Sequence, residues 1–217
     1  MSKNFNDSFR TQGLRKRLLE TLRSKGFEDE LVLEAMMKMP RHYFFDGAFV
    51  EKAYTDLAFP IGAGQTISHP MTVATQSSIL EVKKHEKVLE IGTGCGYQTA
   101  ILMLLGARVW TIERQRELFE KTSRLLPELG FQPKFFYGDG YKGLPSYAPF
   151  DKILVTCGAP FVPEDLKSQV KVGGLLVIPV GGDDVQRMIR LRKMKDGTFK
   201  REDWGEFRFV PMLEDKE

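Results

Sequence analysis

From residue 87 to residue 180 the chain alternates between short apolar runs and amphipathic stretches, and this alternation restricts the fold more than any other feature. The apolar runs have the length of buried strands and lie at 87–91, 108–113, 133–138, 152–157 and 174–180. Helical patterns occupy the intervening stretches 97–105, 115–129 and 163–170. Strands separated by helices form βαβ units with right-handed crossovers. We therefore predict an α/β fold with a doubly wound, mostly parallel, Rossmann-like sheet.

The segments on either side of this core differ from it. Leucines at every fourth position predict an N-terminal helix, and Pro40 ends a second one. Residues 41–70 mix aromatics with glycine and proline, which predicts an irregular segment before a helix at 71–81. Near the end, Asp196-Gly197 is a favoured hairpin turn and predicts an antiparallel ending. We predict one domain over 1–217, divided into an N-terminal helical segment (1–82), an α/β core (83–182) and a C-terminal hairpin and tail (183–217).

Length and charge exclude several classes of protein. The 217 residues are too few for two full domains, and no window holds the ~18 apolar residues of a membrane span. The polar N-terminus does not read as a signal peptide, so the expected compartment is the cytoplasm. A net charge of +3 with scattered basic residues predicts no nucleic-acid partner. Two cysteines and three histidines without ligand spacing predict no metal, and a monomer is the default expectation.

Three glycines, Gly92, Gly94 and Gly96, alternate between the first core strand and the following helix. Without side chains, the backbone can turn sharply and approach a ligand closely. A dinucleotide fingerprint requires Gly-x-Gly-x-x-Gly, whereas here the third glycine comes one residue early and Tyr97 takes the last place. A nucleoside ligand without phosphates fits this loop better. The alternative is a glycine turn that only lets the helix pack closely on the strand.

Acidic residues follow the next two strands. Glu113 lies 21 residues beyond Gly92, where a carboxylate can accept hydrogen bonds from both hydroxyls of a ribose. Asp139 stands between two glycines after the third strand and can accept from an adenine amino group, although a turn or helix-capping role is the alternative. The glycine loop and both acids together indicate an adenosine-containing cofactor.

Several longer runs resemble one enzyme family. Residues 64–70 read Gly-Gln-Thr-Ile-Ser-His-Pro, and residues 90–100 read Glu-Ile-Gly-Thr-Gly-Cys-Gly-Tyr-Gln-Thr-Ala. Shorter runs at 39–42, 139–140, 148–151, 155–160 and 179–181 match in order and spacing. From about Leu14 to Pro211 the chain resembles the protein-L-isoaspartate (D-aspartate) O-methyltransferases. Residues 64–70 are far more specific to that family than the glycine run. The chain departs from the family pattern at Met71, Cys95 and Cys157-Gly158.

This resemblance implies a Rossmann-like methyltransferase sheet and S-adenosylmethionine-dependent methylation of the free carboxylate of L-isoaspartyl residues in damaged proteins and peptides. S-adenosylhomocysteine would be the product, and the methyl ester would begin repair by closing to a succinimide. Ser68 would be the active-site hydroxyl, with 65–70 on the substrate side. The residues that the resemblance and the loop analysis assign to cofactor binding are Gln65, Thr66, Ile67, Glu90, Gly92, Thr93, Gly94, Gly96, Gln98, Glu113, Asp139 and Gly140.

Alternatives remain for the site and for the function. Ser68 could also serve as a cap or turn residue for the helix that follows it, a role compatible with that of the active-site hydroxyl. His69 is an improbable partner for Ser68, because adjacent residues of an extended chain point to opposite sides. Cys157 reads as a small buried thiol rather than a nucleophile. A methyltransferase acting on a small molecule or RNA would keep the cofactor loop, and a non-catalytic adaptor would keep the fold and bind the cofactor without turnover.

Overall fold

The computed structural model describes residues 5–45, 49–182 and 184–217. Its helices are α1 (Phe9–Ser24), α2 (Glu30–Lys38), α3 (Pro70–Ile79), α4 (Tyr97–Leu104), α5 (Arg116–Glu128) and α6 (Glu164–Ser168). Its strands are β1 (Phe59–Gly62), β2 (Gln65–Ile67), β3 (Lys87–Ile91), β4 (Arg108–Glu113), β5 (Lys134–Tyr137), β6 (Phe150–Val155), β7 (Val170–Gly181), β8 (Gln186–Lys193) and β9 (Phe199–Phe207). Within the described residues, no helix is both long enough and apolar enough to cross a bilayer.

A seven-stranded sheet in the order β5-β4-β3-β6-β7-β8-β9 forms the centre of the fold. The first five of these strands pair in parallel, and β8 and β9 add to one side in antiparallel register. The chain builds outward from β3 to β5, then returns to place β6 on the other side of β3. This arrangement confirms the predicted doubly wound sheet with an antiparallel ending.

The inner strands form because their side chains are apolar on both faces. Leu89, Ile153 and Leu176 pack against one another on adjacent strands and have no solvent-accessible surface. Burial of one such side chain contributes roughly 1.5–3 kcal/mol. Strands buried on both faces belong inside a sheet covered by helices, which is the position that β3, β6 and β7 occupy.

The N-terminal helices pack as a separate layer beside α3 and α4. Ser8 and Asp29 cap α1 and α2 with their side chains, by accepting from the backbone N–H of Thr11 and Val32. Leucines and methionines on the inner faces of α1 and α2 join one apolar cluster with Ile67 of β2. This layer therefore holds the β1–β2 segment against the sheet.

The prediction of an irregular segment at 41–70 is wrong for residues 59–67. These residues form an antiparallel hairpin in which Phe59 faces Ile67 across the β1–β2 pair. Its turn uses positive φ angles at Ala63 and Gly64, 48° and 65°. With strands this short, apolar and polar residues do not alternate long enough to predict a strand. Residues 46–48 of the same segment lie outside the described residues.

Strand β3 carries a fully buried carboxyl group, Glu90. Its Oε2 atom accepts from the hydroxyls of Thr99 and Thr111 at 2.5 and 2.7 Å. Its Oε1 atom has no hydrogen-bond partner among the described residues. Burial raises the pKa of Glu90 from 4.5 to about 7, although both threonine hydrogen bonds act in the opposite direction.

We expect Glu90→Gln to change how stability depends on pH. Between pH 4.5 and about 7 the folded protein binds one more proton at Glu90 than the unfolded chain does. This group therefore makes the free energy of unfolding fall as pH rises through that window. Relative to wild type, the variant should gain roughly 2–3 kcal/mol between about pH 5 and pH 7.5, measured by urea denaturation. Parallel stability curves would contradict a raised pKa.

Helix α4 begins at a glycine because α5 passes too close for a side chain. Gly96 has φ +89°, and a Cβ atom there would lie 2.8 Å from Cγ2 of Thr122 and 2.9 Å from Cδ1 of Leu126. Gly130 has a similar φ of +85°, but a Cβ atom there would have no heavy atom within 4 Å. The two glycines share the backbone requirement and differ in packing.

This contrast predicts that Gly96→Ala destabilises the protein more than Gly130→Ala. Both variants incur about 1–2 kcal/mol from the left-handed backbone. Only Gly96→Ala adds overpacking against α5, typically about 1–3 kcal/mol. Urea denaturation of both variants measures the difference, and equal losses would show that α5 moves aside without cost.

Candidate active site

One cavity lies where the sheet reverses its strand order, beyond the C-terminal ends of β3, β4 and β6. In open α/β sheets this crevice is where ligands bind. Its walls include residues 65–68, 91–95, 112–115, 156–157 and 210–213, together with Val73, Gln76, Tyr97, Gln98 and Gly140. Residues separated by more than 140 positions therefore share one cavity.

Most of the predicted site residues line this cavity. They are Gln65, Thr66, Ile67, Ser68, Gly92, Thr93, Gly94, Gln98, Glu113 and Gly140. Glu90, Gly96 and Asp139 are not among the lining residues. Glu90 is buried in β3 and Gly96 faces α5, while the Oδ1 atom of Asp139 accepts from the backbone N–H of Tyr141 at 2.9 Å. The capping alternative for Asp139 is thus confirmed, and direct cofactor contacts by these three residues stay predictions.

The glycine loop is shaped by close contacts with the neighbouring strand end. Gly92 has φ +92°, and a Cβ atom there would lie 2.5 Å from the hydroxyl oxygen of Thr156. That hydroxyl donates to the carbonyl of Gly92 at 2.6 Å. Gly94 also has a positive φ, and its carbonyl accepts from the hydroxyl of Thr122 at 2.6 Å. The loop is therefore held on both sides while its backbone faces the cavity.

Glu113 joins the end of β4 to the glycine loop. Its Oε2 atom accepts from the backbone N–H of Gly94 at 2.8 Å, and Oε1 accepts from that of Gln115 at 2.9 Å. Burial raises the pKa of Glu113, and the backbone hydrogen bonds oppose that rise. An ionised carboxylate has about four acceptor sites, so two backbone bonds leave capacity for two ligand hydroxyls.

Gln98 presents an unused acceptor at the cavity. Its Nε2 atom donates to the hydroxyl of Ser77 at 2.9 Å. Its Oε1 atom is buried and has no hydrogen-bond partner among the described residues. A buried acceptor without a partner costs about 1–3 kcal/mol. Gln98 itself lines the cavity.

Ser68 follows β2 and reaches the same cavity. The residue in the capping position of α3 is His69, whose side chain makes no capping hydrogen bond, so the alternative that Ser68 serves as a helix cap is wrong. The Nδ1 atom of His69 lies 3.0 Å from the carbonyl oxygen of Asp56. His69 therefore contacts the backbone of Asp56 rather than acting as a partner for Ser68.

Cys157 lines the cavity as a protonated thiol. Burial raises its pKa to about 12, with a smaller contribution from the charge of Glu113. A thiol with that pKa is not a nucleophile at neutral pH, in agreement with the sequence interpretation. Within the described ranges, no cluster of three His, Cys, Asp or Glu side chains is arranged to hold a metal ion.

The C-terminal tail is the part of the site that the sequence analysis missed. Residues 210–213 line the cavity, and Gly158 holds them in place: its N–H donates to the carbonyl of Val210 at 2.8 Å and its carbonyl accepts from the N–H of Met212 at 2.6 Å. Gly140 permits this close approach, because a Cβ atom there would lie 3.2 Å from Cε of Met212 and 2.4 Å from Cγ2 of Ile91. The tail carries no recognisable sequence motif. Only Gly140 and Gly158, which contact it, stood out in the sequence.

Comparison with known proteins agrees with this geometry. The family model described as protein-L-isoaspartate(D-aspartate) O-methyltransferase matches residues 13–217. The protein-L-isoaspartate O-methyltransferase of Flavobacterium johnsoniae is 58% identical over 97% of this chain and 99% of its own length. That of Christiangramia forsetii is 59% identical over the same shares.

Two solved structures share the architecture. A protein-L-isoaspartate O-methyltransferase is 29% identical with a TM-score of 0.80 and covers 91% of this chain, which spans 65% of that longer one. A Plasmodium falciparum structure assigned to the same enzyme class, in complex with S-adenosyl-L-homocysteine, is 24% identical with a TM-score of 0.78. It covers 92% of this chain and 98% of its own, and at that identity it supports the fold alone. By family model, by curated relatives and by fold, this chain belongs to the protein-L-isoaspartate (D-aspartate) O-methyltransferase family.

Proposed function

We propose that this protein uses S-adenosylmethionine to methylate the free carboxylate of L-isoaspartyl residues in damaged proteins and peptides, which initiates their repair. One observation carries the proposal. The cavity brings Ser68, from the segment most specific to the family, together with Gly94 of the glycine loop and Glu113 at the end of β4. A family member that had lost its chemistry would not need this junction.

The residues present fit an adenosine cofactor with an amino-acid tail. Glu113 has acceptor capacity for both ribose hydroxyls, and the open backbone at Gly92 and Gly94 allows close approach. The unpartnered Oε1 atom of Gln98 can accept from the cofactor's ammonium group. Further contacts are proposed from lining residues and from residues that support the loop: Gln65, Thr66, Ile67, Thr93 and Gly140, with Glu90, Gly96 and Asp139 behind them.

The reaction requires the protein mainly to position the two reactants and to exclude water from the cavity. When bound, the cofactor supplies a methyl group on a sulfonium cation. The substrate carboxyl has an ordinary pKa near ~4 and is already ionised at neutral pH, so the site needs no general base. Ser68 can donate a hydrogen bond that orients the carboxylate. Ile67, Ile91 and Ile112 line the cavity with apolar surface that excludes water.

Dryness matters because the reaction joins a cation and an anion into neutral products. Water stabilises separated charges and opposes their neutralisation, so a site that excludes it favours the transfer. Orientation of two reactants in one cavity can contribute up to about 7–11 kcal/mol. The methoxy group of the ester leaves more readily than the oxygen of a carboxylate, so the neighbouring backbone amide nitrogen attacks the ester carbonyl and expels methanol. The resulting succinimide is hydrolysed by water partly to normal aspartate.

The finer properties of the protein belong to the same proposal. Binding to a nucleic acid relies on many Lys and Arg contacts with phosphates, whereas binding to a peptide does not. A net charge of only +3 therefore supports a peptide substrate over a nucleic acid. A monomer, a cytoplasmic location and the division at residues 82 and 182 stay predictions.

Methyl transfer to a matched pair of peptides tests the function. With labelled S-adenosylmethionine, we expect methyl incorporation into an L-isoaspartyl peptide and none into the matching aspartyl peptide. Only in the isoaspartyl peptide does the backbone continue through the side-chain carbonyl and leave the α-carboxylate free. The methyl ester should also be labile at alkaline pH. Labelling of RNA or a small metabolite, without the peptide, would support the broader methyltransferase alternative. Cofactor binding without turnover on any isoaspartyl peptide would support an adaptor.

Glu113→Gln should weaken cofactor binding and also lower the free energy of unfolding by about 1–3 kcal/mol, because one buried backbone N–H loses its acceptor. The amide nitrogen would face the backbone N–H of Gly94 or Gln115, so one donor opposes another and an acceptor for ribose is lost. Hydrogen bonds to a charged group are worth about 1.5–3 kcal/mol, which predicts a Kd for S-adenosylhomocysteine roughly 10–100-fold higher. Isothermal titration calorimetry measures this. Glu120→Gln, at an exposed position on α5, is the control and should bind as wild type does.

A further inference from the structure

Arg41 is a buried cation directly behind the active-site loop. It lies in the 3-10 turn Arg41–Phe44 that follows α2, and only 1% of its surface is exposed. Its Nη2 atom donates to the carbonyl oxygen of Ser68 at 2.7 Å. Its Nε and Nη1 atoms have no hydrogen-bond partner among the described residues. The bond to Ser68 is therefore the one hydrogen bond that the Arg41 side chain makes with the described residues.

The surroundings of Arg41 compensate its charge only in part. Its guanidinium carbon lies 4.9 Å from the centre of the Tyr97 ring and 5.6 Å from that of Phe45. Throughout the described ranges no carboxylate lies within 4 Å of it. Burial lowers its pKa, but a guanidinium stays protonated in proteins. Burying an incompletely paired charge is costly, and an aliphatic side chain would fill the same space without that cost.

The opposite side of the loop has its own anchor. The carbonyl of Asp56 lies 3.0 Å from Nδ1 of His69, and its Oδ1 atom accepts from the backbone N–H of Met71 at 3.0 Å. Asp56 is itself paired with Lys25 of the N-terminal layer at 2.6 Å. The chain on the C-terminal side of Ser68 is thus fixed by Asp56, while the Ser68 carbonyl is fixed by Arg41.

We propose that Arg41 is a positioning residue for methyl transfer, acting through the backbone of Ser68. Its hydrogen bond fixes the peptide plane after Ser68, and that plane limits the directions in which the Ser68 hydroxyl can point into the cavity. Arg41 is not among the cavity-lining residues, so it acts on the substrate through Ser68 rather than by touching it. This inference rests on the proposed function, because it assigns the role of Ser68 in that reaction.

A double-mutant cycle tests the link between the two residues. The variants are Arg41→Met, Ser68→Ala and their combination, assayed on the isoaspartyl peptide with rates normalised to the fraction that binds S-adenosylhomocysteine. Loss of a charge-assisted hydrogen bond predicts that Arg41→Met lowers kcat/KM about 10-fold or more. In the presence of Ser68→Ala the same change should cost less than about 2-fold, because no hydroxyl remains to be positioned. The Kd of S-adenosylhomocysteine should change less than about 3-fold.

Two further variants separate positioning from stability. Arg41→Lys keeps a charged donor and should recover part of the activity. If Arg41→Met does not fold, Arg41→Lys replaces it in the double-mutant cycle with Ser68→Ala. Arg15→Met removes another buried arginine, one that pairs with Asp7 and Tyr54 instead of the loop. It should lower the melting temperature while kcat/KM per folded molecule stays within about 2-fold of wild type.

The possible outcomes are distinct. Equal fold-losses from Arg41→Met in both Ser68 backgrounds, or no loss in either, would overturn the positioning role while leaving the proposed function intact. A wild-type protein that binds S-adenosylhomocysteine but does not methylate the isoaspartyl peptide would overturn both.

Discussion

The reversal of strand order between β3 and β6 is the constraint on which the rest of this structure depends. The chain leaves β3 toward one edge of the sheet and returns on the other side, so the loops after these two strands diverge and open a crevice. Close contact then shapes the crevice, since Gly92 lies against Thr156 with no room for a side chain. The bond from Gly94 to Glu113 connects this loop to the end of β4. Packing of the loop backbone against the Thr156 side chain and the Glu113 carboxylate thus shapes the cavity and fixes its acceptor groups.

Three parts of the chain contribute different functions to that cavity. The α/β core contributes the glycine loop and Glu113, the segment between β2 and α3 contributes Ser68, and the tail at 210–213 lines another wall. Buried polar groups fix the relations between these parts: Arg41 and Asp56 hold the serine loop, and Gly158 holds the tail. Positions set by buried hydrogen bonds are well suited to a reaction that depends on placement more than on acid–base chemistry.

Elements with strong local patterns were predictable. The core strands and the helices between them were recognised because an apolar run or a helical repeat is a property of neighbouring residues. The hairpin at 59–67 was not, since its strands are too short for a pattern and its pairing depends on the apolar layer beneath Ile67. Among site residues, Glu113 and Gln98 reach the cavity as predicted. Glu90 and Gly96 belong to the same glycine-rich run, but Glu90 faces the core and Gly96 faces α5. Spacing within the run does not reveal which of its residues face the cavity.

The amino-acid sequence alone determined the family, the order of strands and helices, the glycine loop and the serine segment, because each depends on residues close together in the chain. Tertiary structure decided which of those side chains meet. It placed the tail over the cavity through contacts between Gly158 and residues more than fifty positions away. It also buried Arg41 against a carbonyl 27 residues distant. Such contacts depend on how layers pack and on which way each side chain points, and neither is encoded in local spacing.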